Sequence, residues 1–100
     1  MTPISIVLNK SKKKLQINYH NERHLLLTSS FLRAYSPSAE NKENLKNPDL
    51  IIHQNVKINQ IKTVGNYAIR IIFDDGHNTG IYSWEYIYKL GSKFQNFLNP

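Results

Sequence analysis

The sequence predicts an α+β domain: a small antiparallel β-sheet of about five to six strands, with a short helix and a C-terminal helix packed on one face. Three observations predict it. Short runs of alternating or β-branched residues recur in both halves of the chain. Turn dipeptides, Gly65-Asn66 and Asp75-Gly76, separate the later runs. From Trp84 onward the apolar spacing changes from every second residue to a helical stripe.

Ile4 to Leu8, behind Pro3, reads as a first strand. Lys14 to Tyr19 alternates Leu15, Ile17 and Tyr19 with polar neighbours, the pattern of a half-buried strand. His20 to Arg23 reads as a polar turn and His24 to Leu27 as a third strand. Thr28 or Ser29 can cap a short helix whose Phe31, Leu32 and Tyr35 face the sheet. Pro37 ends that helix by pushing Ser36 out of the α region. Residues 40–50, polar and carrying Pro48, read as a flexible surface loop.

Val56 to Ile61 is a fourth strand, with a slip in its alternation that marks a bulge. Tyr67, Ile69, Ile71 and Phe73 alternate with Ala68, Arg70 and Ile72 and mark a fifth strand. Asp75-Gly76 is a hairpin signal, because glycine accepts positive φ. Thr79 to Tyr82 returns as a strand, and Ser83 caps the last helix, with Glu85 in its first turn where the dipole favours an anion. Trp84, Ile87, Leu90, Phe94 and Leu98 make its apolar stripe. Gly91 interrupts the stripe at a cost of about 1 kcal/mol relative to alanine, so a break with a restart at Ser92 is expected there.

A chain of 100 residues accommodates one domain, 1–100, with one modest core. The absence of cysteine excludes disulfides, thiolate metal ligands and cysteine nucleophiles. The N-terminal MTPISIVLNKSKKK lacks the apolar core of a signal peptide, and no apolar run approaches the roughly 20 residues that span a membrane. A soluble, cytoplasmic protein without a membrane partner is expected. The formal charge of +6 fits either a solubilising surface or an anionic partner. Lys10, Lys12, Lys13 and Lys14 cluster between two strand-like runs, in a turn.

Phosphate-cradling glycine loops, HExxH and GxSxG contexts are absent from the sequence. His20 and His24 are four apart but fall on turn and strand, so they need not share a face; His53 stands alone. Asp74, Asp75 and His77 could serve acid–base chemistry, yet three polar residues at a hairpin are more simply turn chemistry. Tyr82, Trp84, Tyr86 and Tyr88 could form a stacking platform for bases, but are more simply core and half-covered surface.

LRAYSPSAE (32–40) and VGNYAIRIIFDDGHNTGIYSWEYIYKLG (64–91) resemble the gamma-butyrobetaine hydroxylase-like N-terminal domain family over nearly the whole chain. The resemblance implies a small α+β accessory domain of unknown function. The family occurs as a stand-alone bacterial protein, before iron- and 2-oxoglutarate-dependent oxygenases, and fused to P-loop ATPases of the iron–sulfur carrier type. In the eukaryotic oxygenases the domain holds a structural zinc through C-P-C-x-x-C and a histidine. The matching positions here are Ser36, Ser38, Asn41 and His77. Hydroxyls are poor zinc ligands beside thiolates, so the resemblance implies a lost zinc site and no resident cofactor. It also implies that SPSAE and DDGH are neighbours, with Ser36 or Ser38 bonded to His77.

The function this implies is a non-catalytic interaction module, not an enzyme, whose protein partner is an iron–sulfur carrier or an iron-dependent enzyme. Its expected face comprises Arg33, Tyr35, Ser36, Ser38 and Glu40 with Asn66, Tyr67, His77, Tyr82 and Trp84. Arg33 has two open uses: a partner's carboxylate, or an internal salt bridge to Glu40 or Asp75. The alternative is a basic nucleic-acid-binding protein that uses the lysine cluster and exposed tyrosines.

Overall fold

The computed structural model describes residues 2–98, with side chains as far as Gln95. It holds six antiparallel strands and two α-helices, in the order βββαβββα. The strands form two three-stranded sheets. The first contains β1 (Ser5–Leu8), β2 (Lys14–Asn18) and β3 (His24–Thr28). Helix α1 (Ser29–Ala34) and two single 3₁₀ turns, Ala39–Asn41 and Asn44–Lys46, follow. The second sheet contains β4 (Ile58–Val64), β5 (Ala68–Phe73) and β6 (Gly80–Ser83), and α2 (Trp84–Leu98) closes the chain.

Alternation decides which face each sheet buries. In the first sheet Leu15 stands opposite Leu27, and Ile17 opposite Leu25. Their neighbours Gln16 and Leu26 pair on the other face. In the second, Ile69, Ile71 and Phe73 point inward while Arg70 faces Lys62 and Ile81 on the outer side. The inward residues of both sheets join Phe31, Leu32, Ile87 and Phe94 in one core. Each fully buried Leu, Ile or Phe contributes about 1.5–3 kcal/mol through desolvation. The expected bulge is present, as a register shift between Ile58 and Gln60.

Caps set the helix starts. Thr28 Oγ1 accepts the N–H of Phe31, and Ser83 Oγ accepts that of Tyr86. Ser29 is buried instead and donates to the carbonyl of Val56. That bond and Ile58 N–H to Lys12 C=O tie the two halves of the chain together.

Three expectations need correction. Helix α2 runs unbroken through Gly91. The glycine is there for proximity: a Cβ would collide with the Leu25 side chain of β3. Residues 40–50 are not a featureless loop, because two 3₁₀ turns lie there and Asn41 is buried. Tyr67 is not part of β5; it lies in the preceding turn and is 58% exposed. Leu98, the last member of the predicted stripe, has its side chain outside the described residues.

Gly91→Ala should therefore lower the melting temperature, although helix propensity alone would raise stability by about 1 kcal/mol. Leu25→Ala should cost less in the Gly91→Ala background than in the parent, because it opens the space the new methyl needs. A thermal double-mutant cycle reads both, and additive effects would show that the contact is not the constraint.

Candidate functional site

The end of α1, the chain that leaves it and the β5–β6 turn meet in one polar cluster. Ser36 follows α1, and Pro37 keeps it from continuing the helix. Asp74 and Asp75 form the opposing turn, after which Gly76 takes φ 91°. His77 then turns inward, and its backbone N–H donates to Asp75 Oδ1 at 3.1 Å.

His77 is the centre. Its Nε2 lies 2.7 Å from Ser36 Oγ and 3.4 Å from Ser38 Oγ. Its Nδ1 lies 3.3 Å from Glu40 Oε1. A carboxylate facing Nδ1 favours the tautomer with its proton there, in which the serine hydroxyls donate to Nε2. Burial, then the Arg33 guanidinium, hold the His77 pKa below 6.5, against the opposing pull of Glu40 and Asp75. His53, also buried, is depressed in the same way by burial and then by Arg33.

Arg33 Nε donates to Asp75 Oδ2 at 2.8 Å, with both side chains mostly covered. Burial acts to raise the Asp75 pKa, but the His77 N–H and Arg33 outweigh it and hold the carboxyl below its usual range. Of the two uses open to Arg33, the internal bridge to Asp75 is the one the structure contains. Glu40 stays exposed on the rim and accepts from Thr79 Oγ1.

Asn41 serves the backbone. Its Nδ2 donates to the carbonyls of Ala34 at 3.1 Å and Ser36 at 2.9 Å, and its Oδ1 accepts from Asn44. This fixes the chain that carries both serines. Gly80 lies so close that a Cβ would strike Ser36 Oγ.

The expected face divides in two. Ser36, Ser38, His77 and Tyr82 are buried, so none of them offers a surface. Tyr82 is fully enclosed and donates to Leu32 C=O at 2.6 Å. Burial raises its phenol pKa well above the usual value. Tyr35 is half-buried against Phe31, with Lys93 Nζ 4.9 Å from its ring centre. Trp84 is half-buried, and its N–H and indole Nε1 donate to the carbonyls of Tyr67 and Asn66. Asn66, Tyr67 and Glu40 are exposed. Sequence reasoning missed Thr79, Gly80 and His53, whose roles depend on contacts far along the chain.

This donor set does not fit zinc. Ser36 and Ser38 offer neutral hydroxyls to a nitrogen they already satisfy, and the Asn41 amide is committed to carbonyls. Among the described residues no group of three or more His, Cys, Asp or Glu is placed to hold a metal ion. No helix among the described residues is long and apolar enough to cross a membrane.

Because the pKa of folded His77 lies below 6.5, its stabilising effect is complete above that pH and is lost as pH falls through the depressed value. The ring resonances of His77 should titrate with a midpoint below 6.5 in an NMR pH series. The fall in melting temperature below pH 6.5 should be shallower in His77→Gln, with His53 retaining the remainder. A midpoint at or above 6.5 would show a solvated ring.

The same knot of residues lies within a recognised sequence pattern. The protein is similar to a crystal structure of a protein of unknown function, of the DUF971 family, from Acidithiobacillus ferrooxidans ATCC 23270. The two are 28% identical over 90% of this chain and 92% of that one, with a TM-score of 0.75. It is also similar to two proteins solved by NMR in solution, at 41% and 31% identity. These comparisons cover 98% of this chain and 77% and 78% of those chains, each with a TM-score of 0.73. No curated protein matches the sequence. With residues 6–88 matched, and the buried Ser36–His77 pair inside the match, the chain belongs to the gamma-butyrobetaine hydroxylase-like, N-terminal family.

Proposed function

We propose that this domain is a non-catalytic docking module of the cytoplasm that presents a rigid surface to an iron–sulfur carrier or an iron-dependent enzyme. The family resemblance supplies the class of partner. The single observation that supports docking is the setting of Tyr67. Its ring is mostly exposed, yet it rests on Gly65, with ring carbon Cε1 3.0 Å from where a Cβ would stand. The carbonyls of Asn66 and Tyr67 are both held by Trp84. An exposed aromatic on a backbone already tied down loses little entropy on binding, which is the setting of an interface anchor.

The polar cluster supports the same reading. Most of its groups bond one another: Ser36 and Ser38 face His77, Arg33 Nε holds Asp75, and Thr79 donates to Glu40, while Arg33 Nη1 is buried without a partner. A buried imidazole bonded to its neighbours suits a structural tie. In this reading hydrogen bonds cross-link the segment after α1 to the β5–β6 turn, as zinc does in cysteine-bearing members of the family.

Affinity capture from the native cell extract, with and without nuclease, tests the reading. An iron–sulfur carrier or iron enzyme should be enriched regardless of nuclease. Tyr67→Ala should abolish the enrichment and change stability by less than about 0.5 kcal/mol, as for an ordinary surface substitution. Arg33→Ala should instead lower the melting temperature, because it strips a mostly covered carboxylate of its partner. Capture dominated by ribosomal or nucleoid proteins and abolished by nuclease would overturn the proposal.

A further inference from the structure

The lysine cluster of the β1–β2 turn does not stand alone. Lys10, Lys12 and Lys13 line an open, shallow cleft together with Lys57, which lies 44 residues beyond Lys13. The fold holds the two sides in register. Ile58 N–H donates to Lys12 C=O at 2.9 Å, which fixes the turn against the start of β4. Lys57 is gripped from the other side: its N–H donates to Asp74 Oδ1 at 2.9 Å, and its carbonyl accepts the N–H of Asp74 at 2.9 Å. The turn itself is braced by Asn9, whose Oδ1 accepts the N–H groups of Lys13 and Lys14. Lys12 sits at a left-handed φ of 62°, an uncommon conformation for a residue with a side chain.

We propose that this cleft binds a compact anion carrying two or more adjacent phosphate groups. Among the described residues none of its four lysines is in an ion pair. The one acidic residue lining it, Asp74, has Oδ1 engaged by the Lys57 N–H, and the cleft keeps an excess of positive charge. Four lysines against one aspartate give the lining a field that attracts anions.

The chemistry of the lining selects the anion. The cations are all lysines, with no arginine fork of the kind that recognises a carboxylate in bidentate fashion. Lysine binds phosphate as a point charge. Ser11 and Asn59 add neutral hydrogen-bond donors. No aromatic ring lines the cleft, so bases of a single strand would have nothing to stack on. The cleft is therefore a seat for phosphate charge rather than for a nucleobase or an acidic peptide.

Calorimetric titration of the full chain with inorganic tripolyphosphate tests this. Parallel titrations use orthophosphate, a hexaglutamate peptide and a single-stranded oligonucleotide. Tripolyphosphate should bind, and more tightly than the other three. The paired change Lys12→Gln with Lys57→Gln should weaken it about tenfold or more. Lys62→Gln with Lys89→Gln removes the same charge from exposed positions outside the cleft and should leave affinity within about twofold. Unchanged melting temperatures would show that both variants fold. Equal weakening by the two variants would reduce the effect to net charge and overturn the site. Absence of tripolyphosphate binding, or tighter binding of the peptide or the oligonucleotide, would overturn the proposed ligand.

Discussion

The contact on which the polar half of this structure depends is the one between Ser36 Oγ and His77 Nε2, 2.7 Å apart and 41 residues separated in sequence. It joins two segments that cannot hold themselves. The stretch after α1 has left its helix, and the β5–β6 turn has left its strands. Closing so large a loop costs chain entropy, which a single hydrogen bond worth about 1 kcal/mol cannot offset. The structure therefore surrounds it with others. Ser38 and Glu40 reach the same ring, Arg33 takes the neighbouring Asp75, and Asn41 holds the carbonyls of Ala34 and Ser36. Burial of Ser36, Ser38, His77 and Asn41 strengthens the bonds they make and penalises the loss of a partner, which is how a set of weak ties acts as a cross-link.

The two halves of the fold are separate sheets, yet one core runs through both. The inward faces supply apolar area, and the directional links between the halves include Ile58 N–H to Lys12 C=O, Ser29 Oγ to Val56 C=O and the polar cluster. A shared core with directional links explains why the polar cluster and the lysine cleft can be neighbours without interfering. They meet at the β5–β6 turn. Asp74 grips Lys57 on one side, while Asp75, the next residue, grips Arg33 on the other. Adjacent acidic residues in a hairpin, which read as ordinary turn chemistry, are in fact assigned to two different structures.

Much of the fold was legible because it rests on short-range pattern. Alternation at Lys14 to Tyr19 and at Ile69 to Phe73 marks which side of a strand is buried, and Thr28, Ser83 and Pro37 mark helix ends through local geometry. What failed depended on contacts between distant residues. Gly91 looks like a helix breaker until Leu25 is seen against it. Tyr67 continues the alternation of β5 by one residue too many, because the Gly65-Asn66 turn claims it and Trp84 holds its carbonyl. Nothing local distinguishes Thr79 or His53 as members of the cluster. The pairing of Ser36 with His77 became visible only through family resemblance, since no spacing rule relates residues 41 apart.

The internal bonding of the cluster also bears on where function can reside. A catalytic group needs an open approach and an unspent donor or acceptor, whereas His77 is buried, with Nε2 bonded to Ser36 and Nδ1 facing Glu40. A docking residue needs the reverse: a side chain that is free over a backbone that is not. Tyr67 meets that description, and Lys12 and Lys57 meet it for an anion. In each case the anchor is main-chain hydrogen bonding, by Trp84 to the turn at Tyr67, and by Ile58 and Asp74 to the two lysine-bearing segments. The backbone beneath each of these exposed side chains is therefore fixed from behind, which is the feature both proposals rest on.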